Sequence, residues 1–206
     1  MPSRVIAISH ATGAGGESIG RMVSERLRFR YVEKEIIARA AARSGVDPEL
    51  IGDVEQRQPL RTRMLRLLER AEAGQAGVVG LAPGELMTSE ELHTLIREAL
   101  TEMADRGEVV IVSHAASVAL AGRDDLLRVL ITASPETRAR RLAAAEALAE
   151  RDAAKLVEDA DRARAQYFKR FYRIGRELPS HYDLVLNTDV LTPGQATELI
   201  LHAAGL

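Results

Sequence analysis

The sequence predicts an α/β protein built on a parallel sheet, and three observations carry that reading. A glycine-rich turn, Thr12-Gly13-Ala14-Gly15-Gly16, lies between a β-branched run and a helical pattern at the start of the chain. Two later runs, Val109-Val110-Ile111-Val112 and residues 126–132, are apolar without the alternation of a half-exposed strand, as buried parallel strands are. Strand-like and helical runs alternate along the chain, the pattern of a parallel sheet with right-handed crossovers.

Taken in order, residues 4–9 form the first strand through Val5, Ile6 and Ile8. The glycine turn follows. Residues 17–28 then carry Ile19, Met22, Val23 and Leu27 at helical spacing. Residues 29–32 are a short second strand. Glu33-Lys34-Glu35 opens a helix, and Asp47-Pro48 opens another, with an acidic cap and a proline in the first turn. Residues 60–73 read as a further helix, and residues 74–84, with four glycines and Pro83, as a loop. Thr88-Ser89-Glu90-Glu91 is a capping box. The stripe Leu92, Leu95, Ile96, Ala99, Leu100, Met103 makes the next helix. Residues 108–112 and 126–132 are the two buried strands. Ser134-Pro135-Glu136 starts an arginine-rich helix, residues 152–177 form a long charged one, residues 182–186 a last strand, and Pro193 begins the terminal helix.

A chain of 206 residues suits one α/β domain with a small inserted lid. The formal charge of −2, from 28 basic and 30 acidic residues, gives no global bias toward nucleic acid or anionic membranes. The absence of cysteine excludes disulfides, thiolate metal sites and a cysteine nucleophile. No apolar run is long enough to span a bilayer, so a cytoplasmic protein is expected.

Strand, glycine loop and helix together make a phosphate-binding turn. Glycine lets the backbone approach a ligand, and a helix start directs free N–H groups and a positive dipole end at an anion. The plain alternative is a tight turn that binds nothing. The usual motif, G-x-x-x-x-G-K-[ST], registers on Gly15 and Ser18, but its lysine position falls at Gly16. The three lysines, Lys34, Lys155 and Lys169, all lie outside the loop. Ligands of parallel sheets sit beyond the carboxyl ends of the strands. Those ends are Ser9-His10, Val32-Glu33, Ser113-His114, Thr132-Ala133 and Asn187-Thr188. His10 and His114 each stand in a Ser-His-Ala tripeptide, so both rings are candidates beside the loop, or ordinary turn residues.

The sequence resembles the cytidylate kinase-like family of P-loop nucleoside monophosphate kinases. Residues 5–9 with Thr12-Gly13-Ala14-Gly15-Gly16 are similar to that family's strand and Gly-Ser-Gly-Gly loop, which also lacks lysine. Tyr31-Val32-Glu33-Lys34-Glu35-Ile36-Ile37 resembles its entry to the monophosphate region. Asp161, Arg164, Tyr167 and Phe168 fit its lid pattern, and residues 182–188 match its Tyr-Asp-Leu-x-[IL]-Asn-Thr segment.

The resemblance implies a single three-layer P-loop NTPase domain over 1–206, with a five-stranded parallel sheet of order 2-3-1-4-5. Its core would be 1–32, 101–144 and 178–206. A helical monophosphate-binding insertion would take 33–100, and an arginine-bearing lid 145–177. ATP and magnesium are the implied cofactors, with a nucleotide and a small phosphoacceptor as partners; a homo-oligomer is compatible, and neither nucleic acid nor membrane is expected. Thr12, Gly13, Ala14, Gly15, Gly16, Glu17 and Ser18 would bind the nucleotide, Ser18 also the metal, and Glu33 and Lys34 the acceptor. Arg138, Arg141 and Arg164 would neutralise the transferring phosphoryl group, since a guanidinium holds two phosphate oxygens at once.

The loop also departs from the family. Its usual Ser-Arg-Glu-Tyr-Gly-Ser-Gly-Gly-Arg has His10, Ala11 and Glu17 in place of Arg, Glu and the second Arg, and Gly-Arg after the central strand becomes Ser113-His114. Two functions are therefore compatible with the chain. In one, a phosphotransferase uses His10, His114 and the lid arginines in place of the lost cations. In the other, a catalytically impaired nucleotide-binding module acts through a partner. A zinc hydrolase built on His10 and His114 lacks a third ligand.

Overall fold

The computed structural model describes residues 3–33, 36, 89–113 and 115–205. The helices expected from Lys34, from Asp47 and over 60–73 lie outside them, as does the loop at 74–84. The described chain runs β1 (Val5–His10), α1 (Gly16–Leu27), β2 (Arg30–Val32), α2 (Ser89–Asp105), β3 (Val109–Val112) and α3 (Ala116–Ala119). It continues through β4 (Leu126–Thr132), α4 (Pro135–Glu146), α5 (Glu150–Tyr172), β5 (Leu184–Asn187) and α6 (Pro193–Ala203).

The five strands form one parallel sheet in the order β2-β3-β1-β4-β5, as the resemblance implies. β1 is the central strand, in register with Val109 on one side and Leu126 on the other at Val5. Its side chains alternate between two cores. Val5 and Ala7 join Val109, Ile111 and the α2 residues Ile96, Ala99, Leu100 and Met103 on one face. Ile6 and Ile8 join Val110, Val112, Val129 and residues of α1 and α6 on the other. Burial on both faces is why β1 and β3 read as apolar runs; β4, expected to be buried in the same way, instead alternates half-buried and buried positions, with Arg128 on its half-buried face.

The start signals at Ser134-Pro135 and Pro193 lie at helix caps, the Thr192–Gln195 pair at the latter not having been read from sequence. Ser134 Oγ accepts from the Thr137 amide, with Pro135 in the first turn of α4. Thr192 and Gln195 make a reciprocal capping box on α6. Three differences concern boundaries. The long charged helix starts at Glu150 and ends at Tyr172, earlier than expected, because Arg173 turns left-handed with φ 57°. A one-turn 3₁₀ segment, Pro179–His181, precedes β5, which begins at Leu184 rather than Tyr182. The short α3 was not expected, since four residues are too few to show a period.

α5 is fastened at two places. Its end packs Tyr167, Phe171 and Tyr172 around His93 of α2, with the His93 and Phe171 rings stacked at 4.5 Å and Phe168 behind Tyr167 and Tyr172. Arg170 adds an ion pair to Glu90 at 2.8 Å. Its middle reaches the end of β1, where the candidate site lies.

Candidate functional site

The turn after β1 lies at the topological switch point, since the chain leaves β1 toward β2 and β3 on one side and β4 and β5 on the other. Residues 11–15 form the turn, and Gly16, Glu17 and Ser18 form the first turn of α1. Gly13 and Gly15 have φ of 81° and 83°, a region that side-chain-bearing residues rarely adopt. Gly15 is the cap residue of α1 and contributes no side-chain cap. Among the described residues, the Gly13 and Gly15 amides have no acceptor. The amides that open α1 have no intrahelical partner, as at any helix start. This is a concave set of donors with the helix dipole behind it.

The His10, Thr12 and Ala14 carbonyls are engaged on the other side. Arg138 Nη1 donates to the Thr12 carbonyl at 3.3 Å, and its Nε to Ala133 O at 3.1 Å. Arg164 Nη1 donates to the His10 carbonyl at 3.2 Å, and its Nη2 to Ser9 Oγ at 2.8 Å. Arg141 Nη1 donates to Thr188 Oγ1 at 2.9 Å, and that hydroxyl reaches the Ala14 carbonyl at 2.9 Å. The three arginines named from sequence thus converge on the loop from beneath.

Two of them are also paired with carboxylates. Arg138, almost fully buried, forks onto Asp161 of α5 at 2.6 and 2.9 Å. Arg164 forks onto Glu177 at 2.7 and 2.8 Å and lies 5.0 Å over the Phe168 ring. Glu177 also accepts from the Tyr182 hydroxyl. A cavity of about 240 Å³ opens here, between α5, Leu130 and Thr132 of β4, and Glu177.

His10 lies against the loop: a Cβ on Gly16 would stand 2.3 Å from the His10 Cβ. Burial, aided by the Arg164 charge, pulls the His10 pKa below its ordinary value of 6.5, against the opposing pull of Glu17 and Glu33. Burial thus favours the neutral ring, against the cation expected of His10. The sign for stability follows. The unfolded chain protonates near 6.5 and the folded chain only lower, so stability is complete above 6.5 and declines as pH falls below it. His93, also lowered mainly by burial, adds to the same window. His10→Gln is expected to flatten part of that decline in urea unfolding between about pH 5 and about pH 7.5. An unchanged slope would remove His10 as its source.

Other residues named from sequence have other settings. Glu17 is exposed in the first turn of α1, where the dipole favours it, and Ser18 is exposed beside it. Glu33, at the end of β2, accepts from Tyr31 Oη at 2.7 Å and Arg21 at 3.2 Å. Burial and that carboxylate hold the Tyr31 phenol protonated, above its usual range. Lys34 and His114 lie outside the described residues. Asp161 stood in the lid pattern without a role of its own. Glu177 and Thr188 were not singled out for the site; the signals were Thr188's place at the carboxyl end of the last strand and at the end of the Tyr-Asp-Leu-x-[IL]-Asn-Thr segment.

A parallel sheet of this order, with a glycine loop between its central strand and the next helix, defines the P-loop kinase fold. The chain belongs to the cytidylate kinase-like family, whose model matches residues 5–190. It is similar to the cytidylate kinase of Methanocorpusculum labreanum, with 24% identity over 95% of this chain and 93% of that protein. Among solved structures it is similar to an uncharacterized protein from Eubacterium ventriosum, with a TM-score of 0.67, 15% identity and 98% of both chains covered. The shikimate kinase of Bacteroides thetaiotaomicron superposes with a TM-score of 0.53 at 17% identity, again over 98% of both chains. No described helix is long and apolar enough to cross a membrane.

Proposed function

We propose that this protein is a phosphotransferase that moves the γ-phosphoryl group of ATP to a nucleoside monophosphate or another small acceptor. The observation that carries the reading is the division of the loop. Its Thr12 and Ala14 carbonyls are tied to Arg138 and Thr188, and the His10 carbonyl before it to Arg164, while the Gly13 and Gly15 amides have no acceptor among the described residues. Such a cradle suits a polyphosphate, which needs donors and tolerates no nearby carbonyl dipoles.

The residues fit that ligand. The amides of Gly13, Gly15, Gly16, Glu17 and Ser18 would hold its phosphates. Magnesium would supply charge neutralisation, bound through phosphate oxygens, water and the Ser18 hydroxyl. No cluster of three His, Asp or Glu stands among the described residues to hold a metal without the nucleotide. Lid residues 145–177 would cover the transfer, and 33–100, with Glu33 and Lys34, would receive the acceptor. His10 and His114 would face the phosphates, His10 taking up a proton as they arrive. This reading assigns the protein to the cytoplasm, where ATP is held.

A second reading has its own support. Arg138 and Arg164 are already forked onto Asp161 and Glu177, and the loop has no lysine. On that reading the protein binds a nucleotide without transfer and acts through a partner. Calorimetry with ATP, CMP and dCMP, with and without magnesium, tests binding, and product analysis tests transfer. ATP binding with transfer to an acceptor is expected, with net proton uptake at neutral pH. Binding without transfer to any acceptor selects the second reading, and no binding removes both.

A further inference from the structure

We infer that Thr188 is a positioning residue that relays the Arg141 charge through a peptide plane to the loop's ligand, in place of the missing lysine. The inference rests on the nucleotide-binding reading above. Thr188 is buried at the end of β5, 4% exposed. Its hydroxyl accepts from Arg141 Nη1 at 2.9 Å and has two carbonyls in reach of its one proton, Ala14 at 2.9 Å and Thr132 at 3.3 Å, of which Ala14 is the nearer acceptor. Arg141 is fixed by a second bond, from Nη2 to the Thr188 carbonyl at 2.6 Å.

The Ala14 carbonyl and the Gly15 amide belong to one planar trans peptide unit, so they point in opposite directions. A cation behind the carbonyl polarises the whole unit and makes the N–H in front a stronger donor. Gly15 is the cap residue of α1, and its amide has no acceptor among the described residues. The Thr12–Gly13 unit repeats the arrangement, with Arg138 directly on the carbonyl and the Gly13 amide without an acceptor. The His10–Ala11 unit does not, because the Ala11 amide donates to Ile131 of β4. Two of the three buried contacts are therefore relays toward the ligand, and the third anchors the turn. Thr188 carries no charge of its own.

The test uses the full chain and ATP, in calorimetry, with the Gly15 amide resonance as a second readout in the ligand-free protein. Thr188→Val keeps the shape and removes the relay, and is expected to weaken ATP roughly tenfold. The Gly15 amide proton is expected to move upfield in the same variant. Thr188→Ser restores both, because the hydroxyl suffices. Should Thr188→Val fail to fold, Arg141→Gln at its exposed position serves instead, with the same upfield movement expected. Wild-type affinity in Thr188→Val, a Gly15 resonance unmoved in either variant, or Thr188→Ser as weak as valine overturns the inference. Failure of the wild-type protein to bind ATP is a separate result and removes the underlying reading instead.

Discussion

Replacing Gly16 with alanine is expected to destabilise the protein by roughly 2–4 kcal/mol and to abolish measurable nucleotide binding. The new Cβ would stand 2.3 Å from the His10 Cβ and 2.4 Å from its Cγ, distances that force something to move. His10 ends the central strand and its ring is packed in, so it cannot swing aside as a surface chain end would. The helix start must shift instead, and the amides that open α1 shift with it. Gly15→Ala is the matched control. Its φ of 83° strains any side chain, but nothing lies within 4 Å of the added atom. That variant is expected to lose about 1 kcal/mol, the ordinary cost of a left-handed non-glycine residue. Urea unfolding and ATP calorimetry on both variants check the contrast. Equal losses would show that backbone strain, rather than the approach of His10 to the helix, governs this turn.

Arg138→Ala is expected to cost roughly 2–4 kcal/mol of stability, and nucleotide affinity with it. The guanidinium is 5% exposed and serves three acceptors: Ala133 O, Thr12 O and Asp161. Its removal leaves two carbonyls without their donor and opens a cavity beneath the loop. Asp161 is 44% exposed and can take water, which keeps the loss below that of a fully buried pair. Arg138→Lys is expected to recover only part, because an ammonium cannot satisfy a bidentate carboxylate and two carbonyls in one plane. Denaturant titration of the two variants beside Asp161→Asn measures the partition. A loss below about 0.5 kcal/mol for alanine would mean that the contacts contribute little beyond shape.

The sheet was legible because its chemistry is local. Val109-Val110-Ile111-Val112 and the Val5–Ile8 part of the first strand are apolar at every position because both faces are packed, and that demand is written into consecutive residues. The caps at Ser134 and Thr192 were legible in part for the same reason: serine and proline sit next to the helix they start, although only Pro193 marked α6. The end of α5 was not, because Arg173 turns left-handed without the glycine that normally signals it.

The candidate site was legible to a different depth. The glycine loop and the three arginines were named from spacing and resemblance, and the structure brings them together. What the arginines touch was not readable. Arg138 meets Asp161 across 23 positions, and Thr188 meets Ala14 across 174. No local pattern encodes which oxygen a long side chain reaches across such separations. The neutrality of His10 was hidden for a related reason: it follows from burial, which a sequence motif does not state.

The two fastenings of α5 carry a mechanical corollary. One attachment joins its middle to the foot of the glycine turn, through Asp161 and Arg164, and the other joins its end to α2, through Arg170 and the rings around His93. A rod pinned at two points has no free pivot. Any tilt that strains one attachment strains the other, so a displacement of the helix at α2 and one at the glycine turn are a single movement.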